Sequence, residues 1–148
     1  MGQYHKVVNL DRKEYIDPHW LGCGLKLWEQ LANHPSTGTA LIVFLASHSN
    51  GSGGGDLAQS AIVGSWCGDR IAFVGDYDVK IQYRVGRTGK KKMLGCCIYD
   101  KCHDEAPGAW RNVSDEVCAV IESELNGKFV GDGWRKFRPD VLAKLESA

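Results

Sequence analysis

The chain lacks a charge surplus. Its 148 residues include 18 Lys and Arg against 18 Asp and Glu, a formal net charge of zero. A protein that binds nucleic acid or a membrane surface through its overall charge normally shows a basic excess, so that class is excluded and only a local patch stays open. Long apolar runs are missing as well. The longest, Ala40 to Ala46, is far too short to cross a bilayer. The opening MGQYHKVVNLDRKEY has no basic segment followed by an apolar one, so no secretory leader is read there. Lys6 stands where a myristoylation signal after Gly2 would need Ser or Thr. These absences lead to the expectation of a soluble cytoplasmic protein with no membrane contact.

Several catalytic and metal signatures are also absent. No Gly-Lys-Ser/Thr follows a glycine loop, which removes the Walker class of phosphate binders. No D-x-D-x-D-G run marks a calcium loop. The cysteines are Cys23, Cys67, Cys96, Cys97, Cys102 and Cys118, and none forms the paired C-x2-C of a strong zinc site. Without a leader, they read as reduced thiols rather than a disulfide framework.

A hydrophobic share of 43% is enough for a core without staples. The length and the absence of linkers or repeats predict one domain spanning residues 1–148. YHKVVNLD and KEYIDP read as a β-hairpin turning at DRK, closed by Pro18. LKLWEQLA, ended by Pro35, leans to a helix on its residue types. STGTALIVFLASH predicts a helix capped by Ser36 or Thr37 and running to about Ser47. AIVGSW and RIAFVGDYD read as two strands joined at CGD. VKIQYRV alternates as a strand, and MLGCCIYD returns after GRTGKKK. NVSDEVCAVIESELNGK predicts a helix capped by Ser114, with Asp115 and Glu116 favouring its positive end. RPDVLAKLES reads as a short C-terminal helix. The order of elements predicts an α+β fold: an antiparallel sheet with helices packed on one face.

The most conspicuous stretch is NGSGGGD, ending in Gly53, Gly54, Gly55 and Asp56. A dinucleotide cradle needs G-x-G-x-x-G between a strand and a long helix, and this run has neither the spacing nor the helix. It reads either as a slack polar connection or as a loop over a ligand or partner. Trp66, Asp69, Arg70, Asp76 and Asp78 fall close behind it, and carboxylates grouped at one sheet end can hold a divalent cation, although Gly-Asp also marks ordinary turns. Lys80, Arg84, Arg87, Lys90, Lys91 and Lys92 form a basic hairpin without an acid among them. Such a patch suits an acidic protein surface or phosphates; with little aromatic interleaving, nucleic acid is the less favoured partner. Its ordinary alternative is a solvated strand and turn. Cys96, Cys97, Cys102 and His103 cluster, but neighbouring strand residues face opposite ways and share a metal poorly, so small buried hydrophobes are the competing reading. Of the five tryptophans, one or two left on the surface would be interface anchors.

Residues 1–78 resemble a family of small microbial proteins that is itself uncharacterised. Its members begin like MGQYHKVVNLDRKEYIDPH, commonly with Tyr in place of His5. They continue like GCGLKLWE, usually with Gly-Asp-Gly where this chain has Gly22-Cys23-Gly24. They carry segments similar to GSGGGDL and IVGSWCGDRIAFVGDYD. The resemblance brings no activity. It implies a shaped binding loop at residues 50–56 as readily as a slack one, and this chain departs from it at Cys23, which stands where an acid is usual.

The expected function is binding to another macromolecule, a protein, with a phage or mobile-element protein acting on a host factor as a fitting context. The alternative is a small-ligand or nucleotide-processing enzyme with the glycine loop over an acidic site. A second alternative is a zinc-stabilised domain using Cys97, Cys102 and His103.

Overall fold

The computed structural model describes residues 3–31, 35–47, 57–78, 81–84, 91–94, 98–103 and 108–125. Among them, the regular elements run β1 (His5–Asn9), β2 (Glu14–Ile16), α1 (Thr37–Leu45), β3 (Ile71–Gly75), β4 (Ile81–Arg84), β5 (Lys91–Leu94), β6 (Arg111–Asn112) and α2 (Ser114–Leu125). Short 3-10 turns occupy Pro18–Leu21, Leu27–Gln30 and Ile98–Lys101. The sheet order is β3-β1-β2-β6, and β4 pairs with β5 in a separate two-stranded sheet. The pairings are antiparallel except that of β2 with β6.

The first hairpin forms where the sequence places it. Val7 pairs with Ile16 and Val8 with Tyr15. Asn9 locks the turn, its Oδ1 accepting from the backbone N–H groups of Asp11 and Arg12, both at 2.9 Å. Strand alternation then divides the apolar residues between two faces. Val7 and Ile16 join Ala40, Val43 and Phe44 of α1 and Val117, Cys118 and Ile121 of α2 in the main core. Val8, Tyr15 and Val74 lie on the other face, under Ile98, Tyr99 and Cys102. The domain is thus α+β, and the two α-helices among the described residues lie on one face of a mostly antiparallel sheet.

Ser36 caps α1 as expected: its Oγ accepts from Thr39 N, and Thr39 Oγ1 accepts from Ser36 N at 3.0 Å. In α2 the side-chain cap comes from outside the expected residue. Asn112 Oδ1 accepts from Ser114 N at 3.0 Å, while the Ser114 hydroxyl accepts from Asp17 N at 2.8 Å and ties the helix to the end of β2. The described part of LKLWEQLA, residues 25–31, makes one 3-10 turn, in which Gln30 donates to the backbone carbonyls of His5 and Leu25. The C-terminal helix expected at RPDVLAKLES lies outside the described residues.

AIVGSW is not a strand. Residues 61–69 form consecutive turns, with Ser65 N on Ile62 O, Cys67 N on Gly64 O and Asp69 N on Trp66 O. The reason lies at the end of α1, whose last carbonyls have no partners inside the helix. Gly64 N donates to Val43 O at 2.8 Å and Trp66 N to Phe44 O at 2.9 Å. Gly64 has φ 75°, and a Cβ there would lie 2.4 Å from Ala46 O, so this close approach requires glycine.

Trp66 is fully buried and stacks on Phe44, with ring centroids 4.3 Å apart. Its Nε1 donates to Glu14 Oε1 at 2.9 Å. Arg111 Nη1 donates to Glu14 Oε2, also at 2.9 Å, so each oxygen of this buried carboxylate has a donor. Trp66→Phe removes the Nε1 donor together with part of the buried ring volume. It is expected to lower the unfolding free energy by about 1–3 kcal/mol, read by urea denaturation; a change below about 0.5 kcal/mol would contradict a need for that hydrogen bond.

Candidate functional site

The residues grouped by sequence around an acidic site are separated by the fold. Trp66 is in the core. Asp69 and Arg70 stand at the start of β3, where both fasten the first hairpin. Asp69 Oδ2 accepts from Asn9 Nδ2 at 2.9 Å and from Arg12 Nε at 3.2 Å. Arg70 donates its backbone N–H to Asp11 Oδ2 at 2.6 Å and its Nε to Asp11 Oδ1 at 2.8 Å, with Nη2 on the same oxygen. Asp76 and Asp78 follow the far end of β3. Asp76 Oδ1 accepts from Tyr4 N at 3.0 Å; Asp78 accepts from Gly75 N at 2.8 Å and Gln3 Nε2 at 3.0 Å. The five-residue strand between the two pairs is about 16 Å long. These acids are turn fasteners at opposite sheet ends and do not converge.

Gly53, Gly54, Gly55 and Asp56 lie outside the described residues. The chain that follows them is anchored, with Ala58 N on Glu124 Oε1 of α2 at 3.0 Å. Within the basic segment, Ile81–Arg84 and Lys91–Leu94 pair as β4 and β5, with Tyr83 opposite Lys92 and Arg84 opposite Lys91. Lys80, Arg87 and Lys90 lie outside the described residues, as do Cys96 and Cys97. Cys102 is fully buried, its Sγ 3.4 Å from Ile98 O, while His103 is exposed and meets the Tyr99 ring edge-on. Among the described residues, no three His, Cys, Asp or Glu side chains are grouped to hold a metal ion.

Sequence reading passed over Lys6. Its side chain is buried on the β1 face that carries Val8, with Nζ 2.5 Å from Cys102 O and over the rings of Tyr15 and Tyr99 at 5.4 and 4.9 Å. Burial, followed by the charge of Asp76, pushes the Tyr99 phenol up to about 12. The available signal was alternation: Lys6 shares the parity of Val8 in a strand buried on both faces.

Four of the five tryptophans fall among the described residues; Trp134 lies outside them. Trp20 and Trp110 pack partly buried against the two cores, and Trp66 is enclosed. Trp28 is 79% exposed. It sits on the turn Leu27–Gln30, and that turn is firmly held. Gln30 is buried, and its Nε2 donates to His5 O at 2.9 Å and Leu25 O at 3.1 Å. Lys26 N donates to Glu29 Oε2 at 3.1 Å, and Tyr4 bridges to Lys26. Residues three apart on a 3-10 turn eclipse one another, which brings Leu31 to the side of Trp28. Leu31 Cδ2 lies 2.9 Å from the point a Cβ on Gly38 would occupy, and Ile42 is one helical turn beyond Gly38. Leu31 is 58% and Ile42 67% exposed. Trp28, Leu31 and Ile42 are thus three exposed apolar side chains on the Leu27–Gln30 turn, at its C-cap and on α1.

No family model, curated protein or solved structure matches this chain. Among the described residues no helix is long and apolar enough to cross a membrane.

The Asp11–Arg70 fastener sets a pH dependence. The Arg70 side-chain hydrogen bond, then its backbone N–H, hold the Asp11 carboxyl below its ordinary range. A depressed folded value means that this stabilisation is complete above an ordinary carboxyl pKa of about 4 and is lost as pH falls through the lowered value. Urea midpoints measured from about pH 6 down to about pH 2 are expected to fall less steeply in Asp11→Asn than in the unaltered chain.

Proposed function

We propose that this domain works by binding another protein, through the exposed apolar side chains of Trp28, Leu31 and Ile42. One observation carries the reading: an exposed tryptophan on a turn whose neighbours are fixed by buried Gln30. A fixed aromatic loses little conformational freedom on association, and tryptophan is enriched among residues that dominate binding energies. The turn Leu27–Gln30 spends a buried amide on holding Trp28 outward, where a core would otherwise take it in. The basic β4–β5 hairpin supplies charge that favours an acidic partner. The context proposed for such a chain, a phage or mobile-element protein acting on a host factor, is in keeping with this mode.

The acids offered for an enzyme site are consumed in fastening turns at two ends of β3, so no single observation favours the catalytic reading.

Capture of a partner from host lysate, quantified by mass spectrometry, tests the proposal. Trp28→Ala is expected to weaken capture by roughly thirty-fold, about 2 kcal/mol, with thermal unfolding unchanged. Lys91→Glu with Lys92→Glu is expected to slow association and reduce its salt dependence. Undiminished capture by the Trp28 variant would overturn the proposal.

A further inference from the structure

Among the described residues, no strand pairs with the outer edge of β3. Leu10 N donates to Arg70 O at 2.8 Å and Asp76 N to Tyr4 O at 3.0 Å, so Arg70 and Asp76 turn their backbone groups towards β1. Antiparallel pairing alternates this direction along the strand, so Ala72 and Val74 also face β1 while Ile71, Phe73 and Gly75 face outward. Gly75 is closed off: its N–H goes to Asp78 Oδ2 at 2.8 Å, and its carbonyl accepts from Asp78 N at 3.1 Å. Among the described residues, nothing takes the outward N–H and C=O groups of Ile71 and Phe73.

This edge also lacks the usual protection. Edge strands are commonly blunted by charge, proline or shortness. β6, on the opposite edge, has two residues and begins with Arg111. β3 reads Ile-Ala-Phe-Val-Gly, with neither charge nor proline, and its Phe73 is 39% exposed.

We infer that β3 pairs antiparallel with β3 of a second copy of this chain, about a two-fold axis at Ala72. In that register Ile71 of each copy stands opposite Phe73 of the other. All four open backbone groups of each chain are then used, while the closed Gly75 needs no rearrangement. Opposed residues share a sheet face, so each exposed Phe73 meets the other chain's Ile71, which already packs against the main core. Ala72 faces Ala72 across the axis with no bulk to obstruct it. Arg70 lies diagonal to Asp76 of the other copy, on the same face, so opposite charges flank the seam at both ends. A foreign strand would find the same hydrogen bonds, but the match of Ile71 to Phe73 and of Arg70 to Asp76 is with the chain itself. This contact does not use Trp28.

Sedimentation equilibrium over the micromolar range, together with residue-resolved amide exchange, tests the inference. The mass is expected to rise with concentration from 16.3 kDa towards twice that value. The Ile71 and Phe73 amides are expected to exchange more than ten-fold more slowly at the high end. Phe73→Lys places a charge on the edge and is expected to stay monomeric with an unchanged circular dichroism spectrum. A single-chain mass throughout would overturn the inference. So would a dimer with unprotected Ile71 and Phe73 amides, a reading taken on the unaltered chain, or one abolished by Trp28→Ala and kept by Phe73→Lys.

Discussion

The contact of Glu14 with Trp66 and Arg111 holds the rest of the structure in place. A carboxylate buried in β2 is tolerable only if both oxygens find donors. One donor comes from a residue 52 positions away and the other from a residue 97 positions away. The first brings the turns of residues 61–69 against the end of α1. The second sets β6 beside β2, and Arg111 continues to Glu116 at 2.7 Å in the first turn of α2. Sheet order, the finish of α1 and the start of α2 therefore meet at one carboxylate. Removing a donor leaves a partly compensated charge inside the core, which is more costly than losing an ordinary contact.

Around that centre, short polar side chains take over the work of regular structure. Asn9 closes one turn, Asp11 and Asp69 hold Arg70 and Arg12, and Asp78 closes the end of β3. Such fastening leaves surface residues available for contact instead of for cohesion. It also explains why exposed apolar groups persist at Trp28 and Ile42: neither is needed to complete a core.

Much of the architecture was legible in the sequence because local rules governed it. The β-favouring residues Val7, Val8, Tyr15 and Ile16, the Ser36 cap and the helical spacing of Val117, Val120 and Ile121 all agree with their surroundings. AIVGSW failed because its β-branched residues suit a strand, while the unpaired carbonyls of α1 claimed its amides. No local pattern announces that demand. The acids after Gly68 and Gly75 were correctly suspected as turn formers, but their assignment to one sheet end overlooked that β3 runs between them. The candidate surface was the least visible part. Nothing local in LKLWEQL marks which tryptophan stays outside; the turn that carries Trp28 is held by Gln30 on the backbone carbonyls of His5 and Leu25.

Lys6 gives the domain a built-in chemical reporter. Its amine is roofed by Tyr99 and Tyr15 and held against the Cys102 carbonyl, whereas Lys13 and Lys26 lie in the open. An amine-acylating reagent therefore reads two populations. The open lysines react at their intrinsic rate, and Lys6 reacts only when the segment Ile98–Cys102 lifts from the sheet. The label accumulated at that one nitrogen counts the opening events of this face, separately from any loss of the helical side.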